Sequence, residues 1–143
     1  MADINPWIWH LIAYPIYQIL GTLRHEGSHA IEVMWHGGVV WQFQILPHFY
    51  RGSFYWGRVR WVNPLSAEKA IRVLKAPYYV NAACIAWGVV LGRAVLLEVV
   101  ALDHIARFGL IMLLLSPAID TLYNLAKLIL RRDGDFARIG EYR

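Results

Sequence analysis

Two stretches of this chain stay free of charge for longer than a soluble core needs. Ala76 to about Val100 meets no charged residue before Arg93, and Ile105 to about Leu130 carries only Arg107, Asp120 and Lys127. As helices rising ~1.5 Å per residue, each is about 38 Å long, enough to cross a hydrocarbon core of ~30 Å. Trp7-Ile8-Trp9 through Leu23 opens a third apolar run, which continues into a segment that reads as one helix over 7–35. Asn5-Pro6 sets a proline at its start, where a missing N–H costs nothing, and Pro15 should kink it. Composition agrees: 58% of residues are hydrophobic and 17% charged, and seven Trp and eight Tyr supply rings that gather at membrane–water boundaries. The sequence thus predicts an α-helical membrane protein. One domain over 1–143 would hold three transmembrane helices (7–35, 76–100 and 105–130) and a polar tail at 131–143. No cleavable signal peptide is expected, because Met1 to Pro6 lacks a basic region. The single Cys84 sits in an apolar run and reads as a packing residue.

Gly37-Gly38 should end the first helix. Val39 to Leu46 mixes β-branched and aromatic residues with alternating polar ones, and Ser53 to Val62 alternates well at its end. Strands are therefore expected over about 39–46 and 53–62, with Pro47 and Gly52 in the connection. They would form a small β-hairpin or sheet between the first and second transmembrane helices. Asn63-Pro64 closes it, and Ser66 reads as the N-cap of a short helix that follows. The formal net charge of +4 is read as topology rather than as a nucleic-acid footprint. Arg51, Arg58, Arg60, Lys69, Arg72 and Lys75 fall in the first link, and Lys127, Arg131, Arg132, Arg138 and Arg143 at the C-terminal end. The positive-inside rule then places hairpin and tail in the cytoplasm and the N-terminus outside.

His25-Glu26-Gly27-Ser28-His29 is an HExxH pattern in the second half of the first helix. Residues four apart share a helix face, so His25 and His29 can grip one metal ion. Glu26, about 100° round the helix, can reach a metal-bound water as general base. Zn²⁺ is the ion this pattern implies. The competing reading is two helix histidines in a polar cavity with Glu26 as a partner. A hydrolytic zinc also wants a third protein ligand. With the first and third helices both running inward, His29, His25 and Asp120 fall about 9, 15 and 15 Å from the inner helix ends, and Asn81 about 8 Å along the second helix. Four polar side chains at one depth point to Asp120 as the third ligand, since an unpaired carboxylate there is costly. An ion pair or a hydrogen bond to a helix carbonyl is the alternative. Glu32 shares the histidine face but sits about 10.5 Å along the helix from His25, too far for one ion. Asn81 reads as a donor to a substrate backbone or oxyanion, or as a packing amide.

These residues resemble the site-2 protease family of intramembrane zinc metalloproteases. His25-Glu26-Gly27-Ser28-His29-Ala30 with Gly37-Gly38-Val39 is similar to the family's HExGHA…GG pattern, with Ser28 where Gly is usual. Ala76-Pro77-Tyr78-Tyr79-Val80-Asn81 is similar to its GPxxN signature, with Ala76 in place of Gly. Pro117-Ala118-Ile119-Asp120 resembles the stretch that carries the third, acidic zinc ligand, with Thr121 where Gly is common. The resemblance covers about residues 20–130, close to a minimal three-helix core. It implies a zinc-dependent endopeptidase that cleaves membrane-embedded or juxtamembrane substrates from the cytoplasmic side. His25, His29 and Asp120 would hold Zn²⁺, Glu26 would activate water, and the strand pair would guide an extended substrate. The partners implied are a membrane-protein or peptide substrate and the lipid bilayer, with no nucleic acid. The alternative expectation is a non-proteolytic metal-binding membrane protein of the same fold, acting as a regulator or partner-binding module.

Overall fold

The computed structural model describes residues 6–50, 53–62, 65–130 and 134–141. Helix α1 (Pro6–Trp35) carries Pro15 in its interior. It stops at Gly37, whose φ of 81° is the left-handed conformation that ends helices. Gly37 N–H donates to the Met34 carbonyl at 3.0 Å and Gly38 N–H to the Val33 carbonyl at 2.9 Å. Four short strands follow: β1 (Val39–Gln44), β2 (His48–Tyr50), β3 (Ser53–Tyr55) and β4 (Arg58–Val62). β1 pairs antiparallel with β4, from Val39 opposite Val62 to Gln44 opposite Arg58, with an irregularity between Val40 and Gln42. β2 pairs with β3 in a separate ladder, Phe49 opposite Phe54.

Helix α2 (Ala67–Leu96) starts where Ser66 Oγ accepts the Lys69 N–H at 3.4 Å. The short helix expected after Ser66 and the second apolar helix are thus one element, with Pro77 inside it rather than in its first turn. A proline interior to a helix removes one backbone hydrogen bond, here the one to Val73. The helix survives because Ala70, Val73, Leu74, Pro77 and Asn81 are all buried on one continuous face at helical spacing. It ends with Glu98 at φ 58°, Val99 N–H donating to the Ala94 carbonyl at 2.9 Å. A short link leads to Asp103, whose carboxylate accepts the Ala106 N–H at 2.8 Å and caps α3 (His104–Ile129). The stretch read as a polar tail holds a further helix, α4 (Asp135–Glu141). α1, α2 and α3 pack mutually, and α4 docks on α2 and α3. The core between them is small: Val33, Val73 and Leu74 are fully buried, with Ala30, Ala70 and Ile139 close behind.

The expectation of three transmembrane helices is corrected to two candidate spans. Among the described residues only α2 and α3 are long and apolar enough to cross a membrane. α1 falls short because His10 and Gln18 dilute its first half, and Arg24, His25, Glu26, His29 and Glu32 load its second. The sheet expectation changes with it. The strands form two small open ladders, and both precede α2, so no defined hairpin lies between two membrane spans. α2 and α3 turn large apolar side chains outward, Trp87 65%, Leu122 63% and Ile129 73% exposed, more than a water-facing surface usually carries. α1 also turns an apolar row outward (Leu11, Ile12, Ile16, Leu20). Asn5, Arg51, Gly52, Asn63, Pro64, Arg131, Arg132 and Arg143 lie outside the described residues.

Candidate metal centre

His25 and His29 stand one turn apart on α1, their ring centroids 5.0 Å apart and their planes 79° from parallel. Each ring is held by its Nδ1. His25 Nδ1 is 2.7 Å from Asp120 Oδ2 on α3, and His29 Nδ1 is 2.7 Å from the Val73 carbonyl on α2. That carbonyl is the one Pro77 leaves without its helical donor, so the proline in α2 creates the acceptor that orients His29. A carbonyl can only accept, which puts a proton of His29 on Nδ1 and leaves Nε2 to meet Asp135 through either a second proton or a metal ion. Both Nε2 atoms face one point, and there the structure places Asp135 of α4. Its Oδ2 is 3.1 Å from His25 Nε2 and 3.3 Å from His29 Nε2, and it accepts the Tyr78 hydroxyl at 3.0 Å.

The donor atoms of His25, His29 and Asp135 all lie within 4.8 Å of one another, the arrangement of a metal-binding cluster. Zinc–ligand bonds of ~2.0–2.1 Å in a tetrahedron put ligand atoms about 3.3 Å apart. The observed nitrogen–oxygen separations match that edge. Moreover, the Nε2 of His29 and a carboxylate oxygen 3.3 Å apart need a cation between them, either a proton or a metal ion. The residues present therefore fit a metal ion, and Asp120 and the Val73 carbonyl stand where partners that orient metal-bound imidazoles usually stand.

The expected site residues take these places. His25 and His29 meet as the spacing implied. Asp120 reaches the Nδ1 side of His25 and also accepts the Asn81 amide at 2.8 Å. Asn81 is 1% exposed, and its Nδ2 also reaches Thr121 Oγ1 at 3.1 Å. Glu26 lines the same cleft of about 920 Å³, beside His25, His29, Asp120 and Asp135. The β3–β4 turn closes over it: a Cβ on Gly57 would stand 2.6 Å from Glu26 Cγ and 2.4 Å from Thr22 Cγ2. Glu32 instead pairs with His36 at 3.0 Å. Asp135 was not singled out from the sequence, since the polar stretch around it has no periodicity that places it near α1.

Charge follows the geometry. Burial pushes His25 down, but its hydrogen bonds to Asp120 and Asp135, and their charges, carry it up to about 10. Burial would raise Asp135, yet the charge of His29 and the hydrogen bonds from His25 and His29 hold it well below the carboxylate range. Burial raises Glu26, with His25 and His29 pulling it back only in part. Without metal, a proton on His25 supplies positive charge to the two carboxylates that its ring nitrogens touch.

The expectation of an intramembrane endopeptidase is overturned by where this cluster sits. Its three donors come from α1 and α4, and neither is one of the two helices fit to cross a membrane. The architecture is a small helical domain with a His/His/Asp cluster able to coordinate a metal ion and with two apolar helices that can associate with a membrane. Comparison with protein-family models, curated proteins and solved structures finds no match to this chain, so the resemblance to the site-2 proteases has no family-level support.

Proposed function

We propose that this chain is a membrane-associated, non-proteolytic metal-binding module that acts as a regulator or partner-binding unit, with Zn²⁺ held by His25, His29 and Asp135. The observation that carries the reading is the convergence of two imidazole Nε2 atoms on one carboxylate oxygen, each ring anchored through its other nitrogen. Nitrogen donors from two histidines and one carboxylate suit zinc, and a fourth position would remain for water or a donor from a partner. Asp120 and, through it, Asn81 position His25. Glu26 supplies a carboxyl beside the ion that can hydrogen-bond what occupies the fourth position.

The 1–143 chain acts as one unit in this reading, with α2 and α3 as a pair in the bilayer. The flanks of that pair lie at one end, where Lys69, Arg72, Lys75, Lys127 and Arg138 cluster, and the positive-inside rule assigns that end to the cytoplasm. A lipid bilayer and a membrane-bound partner are the expected contacts. An outside N-terminus depended on a third span and loses its premise with it.

The test is zinc stoichiometry on detergent-purified protein by elemental analysis, beside His25→Ala, His29→Ala and Glu26→Gln. One zinc per chain, lost in the histidine variants and kept in Glu26→Gln, supports the reading. A wild type without zinc after reloading refutes it. Peptide cleavage that disappears in Glu26→Gln would refute its non-proteolytic half.

A further inference from the structure

Helix α4 has seven residues, too few to hold a helical state alone in water. Its order depends on what it docks against. Phe136 stacks on Tyr78 with ring centroids 4.2 Å apart and planes 20° from parallel. Ile139 is 6% exposed, and Arg138 lies 5.7 Å over the Trp61 ring. A further anchor is Asp135, whose Oδ2 meets both Nε2 atoms and the Tyr78 hydroxyl at once. The same side chain therefore closes the metal cluster and pins the helix. Through Asp135 and Arg138, α4 also forms one wall of the 920 Å³ cleft.

We propose that α4 is a metal-dependent latch: an ion at His25 and His29 takes Asp135 as its third ligand and clamps the helix over the cleft, and loss of the ion leaves it to its weaker hydrogen-bonded and apolar contacts, so that it opens more often. This rests on the metal-binding reading and adds its regulation. Since ion and helix share one carboxylate, their equilibria are linked, and each stabilises the other by the same factor. At a free ion concentration one hundred times the dissociation constant, docking can shift by up to about 100-fold. Release removes the α4 wall of the cleft and exposes the ring face of Tyr78 that Phe136 covers. The metal state is thereby converted into an accessible or a covered surface on α2 and α3.

The experiment is hydrogen–deuterium exchange on the full chain in detergent, stripped by chelator or saturated with Zn²⁺, with zinc content measured on the same samples. The wild type should show exchange over 135–141 slowed at least tenfold by zinc, with the middle of α2 (82–90) unchanged. Asp135→Asn should bind zinc more weakly, and zinc should no longer slow exchange in α4. Phe136→Ala, which touches no ligand, should loosen α4 in the stripped protein and keep the zinc response. Stoichiometric zinc with the same α4 exchange in both states would overturn the latch and leave the metal site standing. So would an undiminished zinc response in Asp135→Asn. A wild type that takes up no zinc would overturn both.

Discussion

At the scale of single residues, the cluster is built from what surrounds two imidazoles. His25 and His29 were legible because an i, i+4 pair on a helix must share a face. The polar company of Asp120 and Asn81 was legible from residue counts along three packed helices, although not as a depth in a membrane. The Val73 carbonyl was not, being a backbone atom, although Pro77 four residues later is the sign that a carbonyl there lacks its usual donor. Pro77→Ala would restore that donor and make it compete with His29. We expect zinc affinity to fall roughly tenfold, read by competition with a chromophoric chelator, while α2 itself gains helical stability. Asp120→Asn should weaken affinity about 10–100-fold without abolishing binding, because it removes the charge behind His25 and not a donor atom of the cluster. The metal-free protein should also respond to pH. The pKa of His25 is raised to about 10 in the fold, so its contribution is complete below about 6.5 and lost as pH rises through about 10. Asp135 is depressed, so its contribution is present above the ordinary carboxylate range and lost as pH falls through its lowered value. Tryptophan-monitored melting of stripped protein should therefore show Tm declining from pH 7 to 10, a decline that zinc loading removes.

At the scale of elements, most ends obey capping chemistry, and one does not. Glu98 occupies the left-handed position after α2 that glycine fills after α1. A side chain there costs about 1–2 kcal/mol. Glu98→Gly should therefore stabilise the protein by about 0.5–1 kcal/mol in denaturant titration, the gain trimmed by the greater freedom of glycine in the unfolded chain. Gly57 is the opposite case. Any Cβ there collides with Thr22, Glu26 and the Gln44 carbonyl, so Gly57→Ala should destabilise by about 1–3 kcal/mol and push the β3–β4 turn off the cleft. The sequence marked the end of α1 well, since Gly37-Gly38 is unambiguous. It marked the start of α2 poorly. Pro77 reads as a first-turn residue, and only the buried face from Ala70 to Asn81 reveals that the helix passes through it. α4 was illegible, because seven residues carry too little periodicity to separate a docked helix from a polar tail.

At the scale of the whole molecule, the apolar character of the chain was evident and its partition was not. Three apolar runs look alike in a hydropathy reading. What separates them is the polar load on α1, whose His25 and His29 join the cluster able to hold a metal ion. The proposed pair of spans predicts that the chain remains with membranes through alkaline carbonate extraction, and that replacing Leu113 and Leu114 by Asp releases it. Recovery of the wild type in the supernatant would remove the bilayer from the reading. Among the described residues, the seven between α2 and α3, Leu97 to Asp103, are what such a pair would carry to the far side, with Glu98 and Asp103 as the ionised groups of that link. Insertion of this pair could then proceed as a single hairpin. The cluster-bearing helices α1 and α4 flank such a hairpin, which would keep both on one side of the bilayer and let them draw on one compartment's metal supply.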